Sequence, residues 1–505
     1  MNKEKKNKKT ALAVIGCIVT FIGAVCFFAA DWYIKTYGDL GFDSILYTLF
    51  NGLGGVQGGL IADFALKALL PAAVFTALAG TLLFISLKRP LKIKLNKEKS
   101  IKVFPFNRIV AFVLSVAVFI SMTFVAADKV RLFDYLISTT QKTEIYDTVY
   151  VDPLKAEIEF PKTKRNLIYI FLESMETTYF GTEQGGALPY NAIPELYTLA
   201  KDNVNFSHNS DVGGFLSANG TSWTMGALVA QSSGIPLKIP SNFADNTYGK
   251  ERFLKGAAGI TNLLKREGYY QVLMFGSDAA FANRDRYYLD HGIDEIYDLY
   301  TARRDGIIPK DYAVWWGMED KHLFTYAKSV LSEISKGDKP FAFTTLTVDT
   351  HHIDGYKCEY CGSDYEEQYE NVMSCSSRQV YEFVEWIKKQ PFYENTTVVI
   401  AGDHLTMDSG YINRNVDTSY KRHVYNCFIN SQATASSTKN RVFTAMDMFP
   451  STLAAMGCEI KGERLGLGTN LFSNVKTLPE EMGYDEFNKE ISKNSPHYTV
   501  EFMMK

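Results

Sequence analysis

The chain has 505 residues, and its 53 lysines and arginines nearly balance its 56 aspartates and glutamates, which leaves a formal net charge of −3. This length accommodates a membrane region together with one large domain. The near balance excludes the strongly basic character that is typical of nucleic-acid-binding proteins, so we expect no nucleic-acid partner.

Three long apolar runs lie near the start of the chain, at residues 11–30, 60–87 and 109–127. Each run is long enough to cross a bilayer as a helix, which takes about 20 residues. We therefore predict a membrane region over residues 1–127 with three transmembrane helices. A linker is predicted to follow over residues 128–160.

Two lysine-rich segments border these runs, at residues 1–9 (MNKEKKNKK) and 88–102 (KRPLKIKLNKEKSIK). The positive-inside rule assigns both segments to the cytoplasm. The chain is then a multi-pass protein of the cell membrane, and everything after about residue 128 is extracytoplasmic. A cleaved signal peptide is the alternative for the first run, but the Trp32 and Tyr33 that follow it are typical of an interfacial anchor.

The segment between the first two apolar runs covers residues 42–59 (FDSILYTLFNGLGGVQGG). It is apolar and aromatic at first and then rich in glycine. A re-entrant or interfacial segment at the outer surface and an ordinary loop both remain open as interpretations of this pattern.

Three cysteines gather in the predicted outer domain, namely Cys358, Cys361 and Cys375. The C-x-x-C spacing could indicate zinc, but no second cysteine pair or histidine pair follows at zinc-finger spacing. An exported compartment favours a disulfide that pins this loop, in which Cys375 pairs with Cys358 or Cys361.

The region over residues 161–505 alternates short apolar runs with helical patterns, without a repeat or a low-complexity tract. Such alternation predicts one α/β domain of the doubly wound type, with a central, mostly parallel sheet covered by helices on both faces. The strand candidates are residues 167–172, 271–275, 341–348, 397–401 and 423–429, and the helix candidates are residues 193–201, 221–231, 260–267, 376–389 and 446–456.

Polar side chains follow four of these strand candidates. They are Glu173, the pair Ser277 and Asp278, the run from Asp349 to His352, and the pair Asp403 and His404. One such residue is usually a helix cap or a loop residue. Four coincident strand ends indicate a site, because ligands of open α/β sheets bind beyond the carboxyl ends of the strands.

Thr221 begins the amphipathic stretch TSWTMGALVAQ, which follows a glycine. It is either an N-cap of that helix or a nucleophile placed where helix N–H groups favour a phosphate. Together with Glu173, Asp403 and His404 it would form a mixed oxygen and nitrogen site, which suits Mn²⁺, Mg²⁺ or Zn²⁺. A divalent ion on the Thr221 oxygen would lower the pKa of that hydroxyl and activate it for attack.

Two further residues are candidates for contacts with a phosphate. Arg284 could clamp a phosphate in bidentate fashion, and the alternative is a surface arginine paired with Asp285 or Asp290. His351 could bind the phosphate or protonate a leaving oxygen. The adjacent His352 is the weaker candidate, since neighbouring residues on an extended segment point apart.

Over about residues 150–475 the chain resembles the membrane phosphoglycerol transferases of the alkaline phosphatase and sulfatase superfamily. The similar motifs are NLIYIFLESMETTYFG, NGTSWTMGALVAQSSGIPL, FGSDAAFANRDRYYLDHG, TLTVDTHHIDGY, VVIAGDHLTM and MDMFPSTLAAMG. The group includes lipoteichoic acid synthase and the enzyme that decorates osmoregulated periplasmic glucans, and the second of these is the more similar. The resemblance implies a sulfatase-like catalytic domain.

The resemblance also implies roles for individual residues and a reaction. Glu173, Thr221, Asp403 and His404 match the family's metal ligands, Thr221 matches its nucleophile, and Arg284 and His351 match positions that hold the glycerol phosphate. One divalent metal is implied, with Mn²⁺ ahead of Mg²⁺ and Zn²⁺. The implied reaction moves phosphoglycerol from phosphatidylglycerol to an extracytoplasmic glycan or glycolipid through a phospho-threonine-type intermediate.

Two alternatives come from other classes of protein. Phosphoethanolamine transferases share the superfamily, the membrane anchor and the threonine nucleophile, but a glutamate is expected beside their nucleophile, which the motif NGTSW lacks. A non-catalytic, membrane-tethered glycan-binding module is the second alternative. It would be favoured if the metal site stayed empty and Thr221 were dispensable.

Overall fold

The computed structural model of the protein describes residues 2–38, 40–51, 58–84, 91–94, 100–104, 108–239, 251–312 and 314–505. It divides into two compact units. The first comprises Met1–Phe42 and Val56–Asp134, and the second comprises Asp43–Gly55 and Tyr135–Lys505. The predicted linker over residues 128–160 and the predicted catalytic domain over 161–505 remain predictions about domain boundaries.

The secondary structure follows the predicted alternation of strands and helices. The helices are α1 (Asn2–Tyr37), α2 (Phe42–Asn51), α3 (Gly58–Phe64), α4 (Leu70–Phe84), α5 (Arg108–Lys129), α6 (Leu132–Thr140), α7 (Ile145–Thr148), α8 (Pro194–Asp202), α9 (Thr224–Ser233), α10 (Ile260–Arg266), α11 (Arg284–Asp290), α12 (Leu299–Arg304), α13 (Asp320–Ile334), α14 (Gln368–Lys388), α15 (Ser409–Asn415), α16 (Met448–Ala455), α17 (Leu478–Met482) and α18 (Tyr484–Ser492). The strands are β1 (Leu91–Lys94), β2 (Ser100–Phe104), β3 (Ile158–Glu159), β4 (Asn166–Leu172), β5 (Gly214–Phe215), β6 (Tyr270–Phe275), β7 (Glu295–Tyr297), β8 (Phe341–Leu346), β9 (Thr396–Gly402), β10 (Val424–Ile429), β11 (Glu459–Ile460), β12 (Arg464–Leu465) and β13 (Gly468–Thr469).

Among the residues that the structure describes, three helical spans in the first unit are long and apolar enough to cross a membrane, at Thr10–Tyr37, Gly59–Phe84 and Arg108–Lys129. They coincide with the three predicted runs, although residues 85–87 of the second run lie outside the described residues. A helix satisfies its own backbone hydrogen bonds, which is the condition for a chain segment in the apolar bilayer interior. The second span contains one π-helical turn at Ala65–Leu69.

A seven-stranded sheet forms the centre of the second unit, in the order β5-β10-β9-β4-β8-β6-β7. The five strands from β9 to β7 in this order are parallel to one another, whereas β10 and β5 pair antiparallel at one end of the sheet. The predicted mostly parallel α/β domain is therefore confirmed. The carboxyl ends of β4, β8, β6 and β9 consequently lie at one edge of the sheet.

Strand β4 shows why these runs become central strands. All seven of its residues are buried, as expected for an apolar run covered on both faces. On one face Ile168 and Ile170 join an apolar core that includes Phe383 of α14. On the other face the Tyr169 hydroxyl donates a hydrogen bond to Gln231 of α9 at 2.7 Å.

The structure corrects the predicted start of two helices. Helix α9 begins at Thr224 with Trp223 at its N-cap position, so Thr221 lies outside the helix and is not its N-cap. The preceding Gly220 has a φ of 77°, which is strained for residues with a side chain, and the chain turns there before the helix starts. Helix α14 begins at Gln368, ahead of the predicted start at residue 376.

Candidate functional site

Glu173, Asp403 and His404 come together at the carboxyl edge of the sheet. One ligand atom from each residue lies within 4.8 Å of the other two, and all three side chains are buried. The His404 Nε2 atom is 3.3 Å from Asp403 Oδ2 and 3.6 Å from Glu173 Oε1. The strands explain this arrangement, because Leu172 of β4 pairs with Gly402 of β9 immediately before the three residues.

The backbone after β4 holds Glu173 in place. Its N–H donates to the Thr347 hydroxyl at 2.9 Å, and its carbonyl accepts a hydrogen bond from the Thr350 hydroxyl at 2.6 Å. Both threonines follow β8, so two neighbouring strand ends fix one carboxylate. The Ser174 hydroxyl donates to Glu173 Oε1 at 2.8 Å and leaves Oε2 to face other partners.

The backbone after β9 holds Asp403 equally firmly. Its Oδ1 accepts hydrogen bonds from the N–H groups of Ser174 at 2.8 Å and His404 at 2.7 Å. Gly402 allows the close approach of the two strand ends, since a Cβ atom there would lie 2.0 Å from the Met175 carbonyl oxygen. The hydrogen bond from the Ser174 N–H to Asp403 connects the end of β9 directly to the turn after β4.

The electrostatics of the three side chains are coupled. Burial opposes the ionisation of Glu173, but His404, His351 and the Ser174 hydrogen bond outweigh it and lower its pKa. Burial, followed by the charge of Glu173, raises the pKa of Asp403 to about 7. Burial disfavours the charged form of His404, yet the two carboxylates raise its pKa above the usual value. The site therefore concentrates negative charge that a cation would neutralise.

The donor set and its spacing fit a divalent metal ion. Oxygen or nitrogen ligands about 2.1 Å from a tetrahedral ion lie about 3.4 Å apart, which is close to the two separations from His404 Nε2. Asp403 Oδ2 is buried and accepts no hydrogen bond from any residue that the structure describes. A buried carboxylate oxygen of this kind needs a partner, and a metal ion would supply one. Carboxylate oxygens and an imidazole nitrogen suit Mn²⁺, Mg²⁺ or Zn²⁺.

The two threonines at the start of α9 have different surroundings. The Thr221 hydroxyl is buried, donates to the Ala218 carbonyl at 2.9 Å and accepts from the Ala218 N–H at 3.0 Å. The Thr224 hydroxyl instead contacts the acidic site, at 3.4 Å from Glu173 Oε2 and 3.3 Å from His404 Nε2. Sequence reasoning did not single out Thr224, although it lies on the same motif as Thr221.

Arg284 is buried, in contrast to the surface arginine considered as its alternative. Its Nη2 donates to the Ser277 hydroxyl at 2.8 Å and to the Asp278 carbonyl at 2.5 Å, and its Nε donates to the Phe281 carbonyl at 3.1 Å. The guanidinium lies 4.4 Å from the centre of the Phe275 ring. Burial lowers the pKa of Arg284 to about 10, against the opposing charge of Glu173, so the guanidinium stays charged at neutral pH.

His351 follows β8 and packs among aromatic rings. Its ring centre lies 4.9 Å from that of Trp316, and its Nδ1 is 2.9 Å from the His352 carbonyl oxygen. A proton on Nδ1 would satisfy that carbonyl and leave Nε2 as an acceptor. Burial lowers the pKa of His351 although Glu173 acts in the opposite direction, so the imidazole is neutral at pH 7.

Helix α2 contributes a residue that sequence reasoning missed. The Tyr47 hydroxyl donates to the Ala282 carbonyl at 2.5 Å, and its ring centre lies 5.9 Å from that of Trp223. Ala282 is in the turn before Arg284, and Trp223 precedes α9. The segment considered as a re-entrant segment or a loop is thus helical over Phe42–Asn51, and its amphipathic pattern was the signal available in the sequence.

Comparisons with known proteins give the following similarities. A family model described as Sulfatase matches residues 165–458, which is more than half of the chain. Phosphoglycerol transferase I from Escherichia fergusonii is 28% identical over 486 residues, which cover 94% of this chain and 55% of that protein. Phosphoglycerol transferase I from Salmonella typhimurium is 30% identical over 410 residues, which cover 79% of this chain and 48% of that protein.

The chain thus spans about half the length of the curated relatives it matches. Among solved structures, the lipoteichoic acid synthase LtaP from Listeria monocytogenes aligns with a TM-score of 0.49 and 19% identity. That alignment covers 63% of this chain and 79% of the LtaP chain.

Proposed function

Because this chain belongs to the sulfatase family, we propose that it is a metal-dependent phosphotransferase that moves phosphoglycerol from phosphatidylglycerol to an extracytoplasmic glycan or glycolipid. The buried group of Glu173, Asp403 and His404 carries the proposal, since its donor set and spacing suit a divalent ion. The choice of donor lipid is supported by the two phosphoglycerol transferases I that are 28% and 30% identical to the chain.

The metal site would consist of Glu173, Thr221, Asp403 and His404, with Mn²⁺ as the proposed ion and Mg²⁺ or Zn²⁺ as alternatives. When bound, such an ion supplies charge neutralisation at a phosphoryl oxygen and a lowered pKa for the hydroxyl nucleophile. The Thr221 hydroxyl now donates to the Ala218 carbonyl, so it must rotate away from that bond to serve as a ligand and nucleophile.

The first half-reaction begins with Thr221. Its Oγ1 forms a bond to the lipid phosphorus while the bond between phosphorus and the diacylglycerol oxygen breaks. The neutral His351 accepts the Thr221 proton at Nε2 and passes it to the departing diacylglycerol oxygen. In the second half-reaction an acceptor hydroxyl forms a bond to the same phosphorus while the bond between phosphorus and the Thr221 oxygen breaks, and His351 takes the proton of the acceptor hydroxyl and returns it to the Thr221 oxygen.

Arg284 would hold the transferred phosphate. Its Nε and Nη2 are committed to Phe281, Ser277 and Asp278, and no described residue accepts a hydrogen bond from Nη1. The internal bonds fix the plane of the guanidinium, so Nη1 can donate to a phosphate oxygen without a loss of side-chain freedom on binding.

The three apolar helices would anchor the enzyme in the cell membrane with its second unit outside the cytoplasm. An anchored enzyme and a lipid donor share one surface, which raises their effective concentration relative to free diffusion. The diacylglycerol product would also stay in that membrane.

The test measures the release of diacylglycerol by purified full-length protein in detergent micelles. With Mn²⁺ we expect release from phosphatidylglycerol and much slower release from phosphatidylethanolamine, because a pocket built for glycerol hydroxyls would leave buried polar groups unpaired by an amine. Preference for phosphatidylethanolamine would instead establish the phosphoethanolamine transferase alternative. If no lipid were cleaved with any of the three ions, the tethered binding module would become the better account.

Two threonine variants separate the nucleophile from its neighbour. Thr221→Ala should abolish release and the covalent glycerophosphoryl adduct, whereas Thr224→Ala should reduce turnover but keep an adduct that mass spectrometry maps to residue 221. An adduct on Thr221→Ala that maps to residue 224 would show that the nucleophile had been assigned to the wrong hydroxyl.

A further inference from the structure

The three cysteines Cys358, Cys361 and Cys375 converge at a second place in the outer unit. Cys358 and Cys361 lie in the loop after β8, and Cys375 lies in α14. The Cys358 sulfur is 3.7 Å from that of Cys361 and 3.8 Å from that of Cys375, and all three sulfurs lie within 4.8 Å of one another. The structure has these residues as thiols and not as the expected disulfide.

The spacing of the sulfurs matches metal coordination. A disulfide requires a sulfur separation of about 2.05 Å. Thiolates about 2.3 Å from a tetrahedral zinc ion lie about 3.8 Å apart, which agrees with both separations from Cys358. One sulfur that stands at the same distance from two others is expected around a shared ion, whereas a disulfide would select one partner.

Hydrogen bonds around the sulfurs support the same interpretation. The Cys361 N–H donates to the Cys358 carbonyl at 3.1 Å, which holds the two loop cysteines in one turn. On α14, the Gln379 side-chain amide donates to the Cys375 sulfur at 3.3 Å. Donors of this kind stabilise thiolates and orient them, which is the usual role of groups around metal ligands.

Cationic side chains flank the cluster. Arg378 donates to the Tyr360 carbonyl at 2.9 Å, between the two loop cysteines. The Lys321 ammonium lies 5.8 Å from the centre of the Tyr360 ring. Three thiolates and one divalent ion carry a net charge of −1, which Arg378 would offset, whereas Lys321 already pairs with Glu319 and Glu359.

We propose that Cys358, Cys361 and Cys375 form a second metal site that binds a thiophilic ion, with Zn²⁺ as the ion of choice. Soft thiolate ligands select Zn²⁺ over Mg²⁺ or Mn²⁺, so this site and the Glu173 site would discriminate between ions. Binding displaces three thiol protons to solvent and leaves the fourth position of the ion to a water molecule or another small ligand. The bound ion would connect α14 to the loop that contains His351.

Cobalt provides a test that reports sulfur ligands alone. Full-length protein purified under reducing conditions and stripped of metal is titrated with Co²⁺, and the thiolate-to-cobalt charge-transfer absorption is recorded. We expect this absorption to saturate at one ion per chain and to disappear when Zn²⁺ is added. The Glu173 site lacks sulfur and cannot produce it, so this result does not depend on the proposed enzymatic function.

Variants of two of the three cysteines test whether this cluster produces the absorption. Cys375→Ser and Cys361→Ser should each lose most of it, and Cys427→Ser, which removes a buried thiol of β10, should keep it. If Cys375→Ser fails to fold, the wild-type titration and the Cys361→Ser variant still test the proposal, because Cys361 is only half-buried. The proposal is overturned if the wild type shows no charge-transfer absorption, or if protein isolated without reductant has two fewer than its seven thiols and no zinc.

Discussion

Gly402→Ala should disable the proposed metal site although it adds only one methyl group. The Cβ atom would lie 2.0 Å from the Met175 carbonyl oxygen and 2.6 Å from Val424 Cγ1. Relief of the backbone contact requires a shift of about 1 Å, because nonbonded carbon atoms settle at least about 3 Å from such an oxygen. Asp403 is the next residue and would move with Gly402, well beyond the tolerance of about 0.2 Å for metal ligands. Overpacking of this kind also costs about 1–3 kcal/mol of unfolding free energy.

Metal content and thermal unfolding of the purified variant measure these two effects. Gly410→Ala is the matched control, since its Cβ would meet only the side chains of Arg414 and Asp408, both at 3.4 Å. It should leave metal content unchanged and should not lower stability, because alanine at a compatible backbone position restricts the unfolded chain and adds about 0.4–1 kcal/mol. If Gly402→Ala kept wild-type metal content and thermal stability, the close packing of the strand ends would not be what positions Asp403.

Three further predictions concern the surroundings of the site and its placement. Arg422→Met should cost about 3 kcal/mol of unfolding free energy, because it leaves the buried Glu176 without the partner that donates to its Oε2 at 2.7 Å. Arg414→Met breaks an exposed ion pair and should cost less than about 1 kcal/mol. Equal denaturation midpoints of the two variants would contradict this prediction. Tyr47→Phe removes the hydrogen bond to the turn before Arg284, which is worth about 1 kcal/mol. A loss of about 1 kcal/mol in transition-state stabilisation would slow diacylglycerol release about fivefold. Unchanged release would show that this contact has no part in the reaction. A topology reporter fused after residue 505 should be active only outside the cytoplasm and one near residue 97 only inside, and the reverse pattern would overturn the proposed orientation.

Local patterns in the sequence were sufficient to predict the architecture. Short continuous apolar runs such as those of β4 and β9, set between helical patterns, indicate central strands, because both faces of such a strand are buried. The parallel arrangement then brings the ends of such strands to one edge. For this reason the sequence alone could group Glu173, Asp403 and His404 as candidate metal ligands.

Patterns along the chain were less informative where two distant segments meet. The Thr221 motif has the composition of a helix from its first residue, but the turn at Gly220 delays the start of α9 and brings Thr224 to the acidic site. The burial of Arg284 was also unexpected, since acidic neighbours in sequence suggested a surface ion pair.

Long-range contacts were decided by the tertiary structure alone. Tyr47 and Ala282 are 235 positions apart, and no periodicity in either segment specifies the other as its partner. The C-x-x-C pair likewise does not show where Cys375 lies, and the choice between a disulfide and three convergent thiolates depends on sulfur separations that only the packing of the loop against α14 determines. Sequence spacing limits which residues share one element, whereas the contacts between elements follow from how the whole chain buries its apolar surface.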